Sequence, residues 1–192
     1  RTKGLFSLLV ILIVGLDVFG VDLLSLDAQL PTQVLSQGSG AVGYFTTQAG
    51  TFRVYSPSYS LPQQTAAAAG IQLADGVNPL QLLNYVDFME NASSIPVTRY
   101  SPSLPDFPGG DPAQDNAAFP PHTQLLGLLN VRYVLSAFEL SAEGLNLLEV
   151  AEQVYIYENS YWLPRAWVQD EAVVIGSSIL SAPPIVAAPN RI

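Results

Sequence analysis

The 192-residue chain has no cysteine, one histidine and a single lysine. The missing cysteines exclude disulfide frameworks, thiolate-bound zinc, iron–sulfur clusters and thiol catalysis. With His122 alone, a two-histidine metal site cannot be assembled within the chain. Charge is scarce as well. Only 12% of residues are charged, against about a quarter in ordinary soluble domains. The 7 basic and 16 acidic residues leave a net charge of −9. Phosphate contacts need clustered Lys and Arg, whereas Lys3 stands alone and the arginines are scattered, so a nucleic-acid partner is excluded. Also missing are a phosphate-binding loop ending in Gly-Lys-Ser/Thr, a GxGxxG after a strand and a GxSxG nucleophile elbow. These absences leave no catalytic residue, no metal ligand and no cofactor to assign.

Apolar residues are plentiful, at 49%, and that argues against intrinsic disorder. Much of the excess lies in residues 4–26, where LFSLLVILIVGL continues through Asp17 and Asp22 to Leu26. Three readings compete: a transmembrane helix, a buried core element and a signal peptide. A span needs about 20 mainly apolar residues, and 4–26 reach that length only by including the two aspartates. A signal peptide lacks a prompt small-x-small cleavage site here. The length rule favours a transmembrane helix. Arg1 and Lys3 would then place the N-terminus in the cytoplasm, with membrane lipid as a partner and the rest extracytoplasmic. The chain starts on Arg1 and reads as a piece of a longer protein.

Past this segment, residues 27–50 have the Gln, Ser, Thr and Gly content of a linker. Residues 51–176 carry alternating strand and helix signals and predict an α+β domain. Its small mixed β-sheet would hold strands near 51–55, 131–136, 154–158 and 165–169, covered by short helices near 65–74, 78–90 and 122–129. Residues 147–150 and 172–175 also look extended. Asn78-Pro79 supplies the N-cap and first-turn proline of the second helix. The proline-rich, acidic stretch 101–121 reads as a long loop with the composition of a mobile one. Residues 177–192 form a Pro-interrupted apolar tail.

Individual polar residues mostly have structural readings. His122, at a helix start, fits a surface or capping role better than a general base. Asp106, Asp111 and Asp115 fit a solvated acidic loop better than a cation site. Asn91-Ala92-Ser93 matches a glycosylation sequon, a short pattern that is common by chance. Arg132, inside an apolar strand, needs an acidic or carbonyl partner, and Glu158 is a candidate. The dense aromatic segment Tyr155, Tyr157, Tyr161, Trp162 and Trp167 suits core packing or a platform for sugars, which makes Trp162 a candidate substrate contact.

Four segments occur in an order that resembles one family: TFRVY at 51–55, GIQLADGVNPLQLLNYVDFM at 70–89, HTQLLGLLNVRYVLS at 122–136 and VYIYENSYWLPRAWV at 154–168. Together they resemble the soluble region of YfhO-like bacterial membrane proteins, a group related to the C-type membrane glycosyltransferases. Gly76-Val77 departs from the family pattern, in which an aromatic usually follows the glycine. The resemblance implies an extracytoplasmic accessory domain of a polytopic membrane protein that glycosylates the cell envelope from lipid-linked sugars. The catalytic acid of those transferases lies in a loop with no counterpart here, so no catalytic residue carries over. Asp75, Asn78, Glu158, Asn159 and Arg165 could line a face toward a lipid-linked sugar or an envelope glycan. The alternative is a non-catalytic glycan- or protein-binding module.

Overall fold

The computed structural model describes residues 2–25, 30, 36–98 and 100–167. These fall into two units, the first within residues 1–34 and the second from residue 35 onward. In the first unit, Thr2–Ser25 form one helix, α1. Its apolar side chains from Leu5 to Phe19 are exposed. The expected membrane span over 4–26 is corrected here: among the described residues, no helix is long and apolar enough to cross a membrane. The uncharged run closes at Asp17. It therefore covers residues 4–16, about 20 Å of helix against a hydrocarbon core of about 30 Å.

The second unit is α+β. Its elements in chain order are α2 (Ser39–Thr46), β1 (Arg53–Tyr55), α3 (Gln63–Ala68), β2 (Gln72–Leu73), β3 (Gly76–Val77), α4 (Leu83–Ser93), β4 (Ser103–Leu104), α5 (Pro112–Asp115), α6 (Thr123–Leu128), β5 (Val131–Ser136), β6 (Leu145–Ala151) and β7 (Val154–Asn159). Five strands make one mixed sheet in the order β2-β1-β5-β7-β6. β1 pairs parallel with β2 and with β5. β7 pairs antiparallel with both β5 and β6. β3 and β4 form a separate antiparallel pair.

Parallel strands are buried on both faces, and the sequences of β1 and β5 show it. RVY and VRYVLS are β-branched or aromatic apart from arginine, leucine and serine, and five of the six β5 residues are buried. The two faces carry separate cores. One joins Tyr55, Val131, Val134 and Tyr157 to Met89 and Ala92 of α4 and Leu126 of α6. The other joins Val54, Tyr133, Leu135 and Ile156 to Ala41 and Phe45 of α2 and Ala66 of α3. A ring cluster of Tyr44, Phe45, Phe52 and Tyr133 fills the second core, with centroids 4.9–6.1 Å apart.

Several sequence expectations are corrected. Within the supposed linker, Ser39–Thr46 form α2, whose Phe45 is buried in the core. The helix expected over 65–74 stops at Ala68, because Gly70 turns at φ +71° and Gln72–Leu73 then pair with β1. Asn78 does not cap a helix. Its Oδ1 accepts from the Leu80 backbone N–H at 2.9 Å in a local turn, and α4 begins only at Leu83. The 101–121 stretch is ordered by β4, by α5 and by the buried Asn116, whose Nδ2 donates to the Pro57 carbonyl at 2.8 Å. Arg165–Trp167 are not in a strand. The expected strand at 172–175, the tail 177–192 and residues 168–169 lie outside the described residues.

One polar junction joins α6, β5 and β7. Asn159, fully buried at the end of β7, donates to the Thr123 carbonyl at 2.8 Å and the Val131 carbonyl at 3.1 Å. Its Oδ1 accepts from the Tyr161 N–H at 3.0 Å. Asn130 donates to the Leu163 carbonyl at 2.8 Å, and the Leu163 N–H reaches the Gly127 carbonyl at 3.1 Å. Gly127 packs against the Tyr161 backbone so closely that a Cβ there would collide with the Tyr161 carbonyl. Truncating Asn159 takes the side-chain partner from the Val131 carbonyl and the Tyr161 N–H and removes a second bond to the Thr123 carbonyl. Asn159→Ala is therefore expected to cost roughly 2–4 kcal/mol in urea unfolding. Truncating the exposed Asn146, which donates to Ser160 Oγ at 2.7 Å, should change stability by about 0.5 kcal/mol or less. Equal effects would remove Asn159 from its central role.

Candidate functional site

The sheet positions its loops before any side chain is considered. From β1 the chain crosses through α3 to β2 on one side, then returns to β5 on the other. Such a reversal opens a crevice at the carboxyl ends of the parallel strands. Ser56–Ser60 leave β1 there and Asp75 follows β2. The Ser56 backbone N–H donates to Asp75 Oδ1 at 3.0 Å. Ser58 Oγ lies 2.7 Å from Ser60 Oγ and accepts from the Ala137 N–H, just past β5, at 2.9 Å. The protein's own serines thus fill the gap between β1 and β5. Beside it, between the β1 and β2 exits, a cleft of about 370 Å³ remains open. It is lined by Tyr59, Leu61, Gln63, Gln64, Asp75 and Val77, among others.

Asp75 dominates the electrostatics. Its Oδ2 is buried without a hydrogen-bond partner. Burial pushes its carboxyl up to about 7, and the backbone N–H bonds from Ser56 and from Asp75 itself offset only part of this. The Tyr55 hydroxyl is fully buried and unpartnered. Burial and the nearby Asp75 raise it well above the usual phenol range; the Ser93 hydroxyl offsets a little without meeting hydrogen-bond geometry. Burial and then Asp75 raise Tyr59 also. Its hydroxyl donates to the Pro105 carbonyl at 2.8 Å, and its ring meets Phe107 edge-on at 5.2 Å. Burial raises Tyr85, whose hydroxyl donates to the Ala74 carbonyl at 2.6 Å.

A second cluster surrounds Arg132. Arg53 pairs with Val131 and Val54 with Tyr133, so Arg132 is the extra residue of a β-bulge. The bulge brings its guanidinium to 5.0 Å from the ring centroids of both Tyr133 and Trp162. Nε donates to Glu158 Oε1 at 3.0 Å. The partner that the sequence suggested for Arg132 is therefore in place. Both side chains keep a quarter to a third of their surface in water, so the ion pair itself contributes under about 1 kcal/mol.

The six candidate binding residues do not form one face. Asp75 lines the cleft, while Asn78 is exposed in the turn beyond β3. Glu158 and Trp162 are engaged with Arg132. Asn159 is sealed in the α6–β5 junction and cannot reach a ligand. Arg165 donates to Gln72 Oε1 at 2.8 Å, next to the free edge of β2. Trp162 is half-buried, and its ring packs on the Arg132 guanidinium. His122 stands at the N-cap of α6, and its backbone N–H reaches the Ala92 carbonyl.

The loop carboxylates tie their own loop together. Asp111 accepts from the Ala113 N–H at 3.0 Å, and Asp115 from Gly109 at 2.7 Å. Burial alone would raise Asp106, but hydrogen bonds from Thr98, Ser101 and Phe107 outweigh it and hold the carboxyl below its usual range. Among the described residues, no group of His, Asp and Glu could hold a metal ion. Sequence reasoning missed Tyr59, Gln63 and Gln64. The signal was a βαβ crossover from 53 to 73, whose loops must converge at the strand ends. No family model, curated protein or solved structure matches this chain.

The raised Asp75 carboxyl sets a pH dependence. The native state prefers it neutral, so its contribution to stability is whole below about pH 4. That contribution is lost as pH rises toward 7 and stays lost above. Asp75→Asn is expected to gain roughly 2–4 kcal/mol over the parent at pH 8, shrinking toward zero at pH 4.5, in paired urea titrations. A difference independent of pH would show that Asp75 ionises freely in the fold.

Proposed function

We propose that residues 36–167 form a non-catalytic glycan-binding accessory domain of a larger protein that transfers sugars from a lipid carrier to a cell-envelope polymer. The observation that carries the binding role is the cleft at the carboxyl ends of β1 and β2. Its wall combines two glutamine amides, a carboxyl and an apolar floor from Leu61, Leu73 and Val77. Neutral sugars present hydroxyls that both donate and accept, and carbon faces that pack on apolar side chains. Gln63 and Gln64 supply both hydrogen-bond senses. Gln63 is already set in place, because its Oε1 accepts from the Val77 N–H at 3.2 Å. Among the described residues no arginine or lysine lines the cleft, which disfavours phosphate as the group bound there.

Support for the larger protein comes from the four ordered segments. They are the scaffold of this domain: β1, the β2-to-α4 stretch, α6 with β5, and β7 with its exit turn. They interlock through Arg53 on the Leu129 carbonyl, Asn130 on Leu163 and Arg165 on Gln72. In this reading the pattern consists of packing residues, and function lies in the loops that the fold presents. No residue of this domain is given a catalytic role.

Binding is tested by titrating the full chain with neutral oligosaccharides and following backbone amide shifts. Shifts should concentrate at Gln63, Gln64 and Val77, and Gln63→Ala with Gln64→Ala should weaken binding about tenfold, as expected for two lost polar contacts. Shifts centred on Trp162 instead, or binding untouched by the double substitution, would overturn the assignment to this cleft.

A further inference from the structure

The sheet ends asymmetrically. At one edge, β2 has two residues; at the other, β6 has seven and pairs only with β7 among the described residues. A long free edge offers unpaired N–H and C=O groups to any extended chain, and proteins normally blunt it with lysine, proline or brevity. β6, LNLLEVA, has no lysine and no proline. Its one irregularity is the register shift that leaves Leu148 between Leu147 and Glu149. Apolar side chains crowd this edge: Leu147 is 52% exposed, Leu148 43% and Val150 52%.

Charge around the edge has one sign. From Tyr133 to Pro164 the chain carries Glu139, Glu143, Glu149, Glu152 and Glu158 and no lysine or arginine. Arg132 neutralises Glu158 alone. A second copy of this chain would bring the same carboxylates against these, since each copy has a net charge of −9. The segment beyond Trp167 adds Asp170 and Glu171 before its single arginine, Arg191. Both are poorly matched to the edge. An extended segment that alternates apolar residues with Lys or Arg is well matched: its backbone continues the ladder, one face covers Leu147 and Val150, and its cations answer Glu143 and Glu149.

We infer that the free edge of β6 is a docking site for a basic, extended segment of a partner protein, added as a sixth strand. The partner's backbone supplies the pairing and its charge pattern supplies the selectivity.

The test uses the full chain and three synthetic eight-residue peptides. One alternates Val and Lys, one alternates Val and Glu, and one is the Val–Lys peptide with alternate backbone nitrogens methylated. Hydrogen exchange of the Leu145–Ala151 amides is the readout. The Val–Lys peptide should slow the outward-facing amides by about tenfold or more, as new ladder bonds do, and its affinity should fall as salt is raised. The Val–Glu and N-methylated peptides should do neither. Leu147→Lys with Val150→Lys should abolish the effect while leaving the thermal transition in place. Should those substitutions prevent folding, the N-methylated peptide on the unaltered chain still decides the matter. Equal protection by the Val–Glu peptide would overturn the inference. So would edge amides already slow in the free protein, whether at every concentration (cover by the chain itself) or only at high concentration (a second copy).

Discussion

The structure rests on one buried side chain whose every polar atom is used. Asn159 ends β7 at the point where the last antiparallel strand must meet both the start of α6 and the start of β5. A side chain with two donors and one acceptor ties together a first-turn helix carbonyl, a strand carbonyl and the N–H of the following turn at once. An apolar residue would remove all three bonds and leave the Val131 carbonyl and the Tyr161 N–H without this partner, and a carboxylate would bring a charge there. The neighbouring Gly127 and Asn130 serve the same closure, one by leaving room for the Tyr161 carbonyl and the other by turning at φ +63° while holding Leu163. Because β5 is the central strand, fixing its start fixes the register of β1 on one side and of β7 on the other.

Two unlike electrostatic settings flank that frame. Around Arg132 a bulge turns an arginine out of a buried strand and places it between two rings and a carboxylate, where its charge is matched and still partly wet. Around Asp75 burial dominates, one carboxyl oxygen is unpartnered among the described residues, and three tyrosines respond to the same low-dielectric environment. The first arrangement stabilises through geometry. The second stores free energy against ionisation.

Strands with strong β-formers were readable from the chain: 131–136 as expected, and 51–55 and 154–158 to within a residue or two. Periodicity also located α6. It failed where tertiary context overrode propensity. The polar 27–50 stretch hid α2, whose hold on the core comes mainly from Phe45 with Ala41. Asn78-Pro79 carried a good capping signal, yet β3 pairing with β4 held that backbone and delayed α4 to Leu83. The apolar run at the N-terminus was extended past Asp17 to reach a spanning length that the uncharged residues do not have. As for the site, Asp75 was legible as a residue but not as a buried one, since burial follows from the β1–β2 crossover and not from the Asp-Gly turn in which it sits. Asn159 was read as a ligand contact because a turn asparagine looks exposed in sequence; its neighbours from α6 lie more than thirty residues earlier.

The strand order also has a consequence in time. β1 lies between β2, which follows it within twenty residues, and β5, which begins at Val131. During synthesis Val54 and Tyr55 therefore leave the ribosome long before their central partner exists. By contrast β5, β6 and β7 follow one another within residues 131–159: β6 and β7 form a hairpin, and β7 is the strand that pairs with β5. The N-terminal two thirds of the domain has to remain soluble as an incomplete sheet until those three strands arrive, a period in which its apolar strand faces lack their native cover.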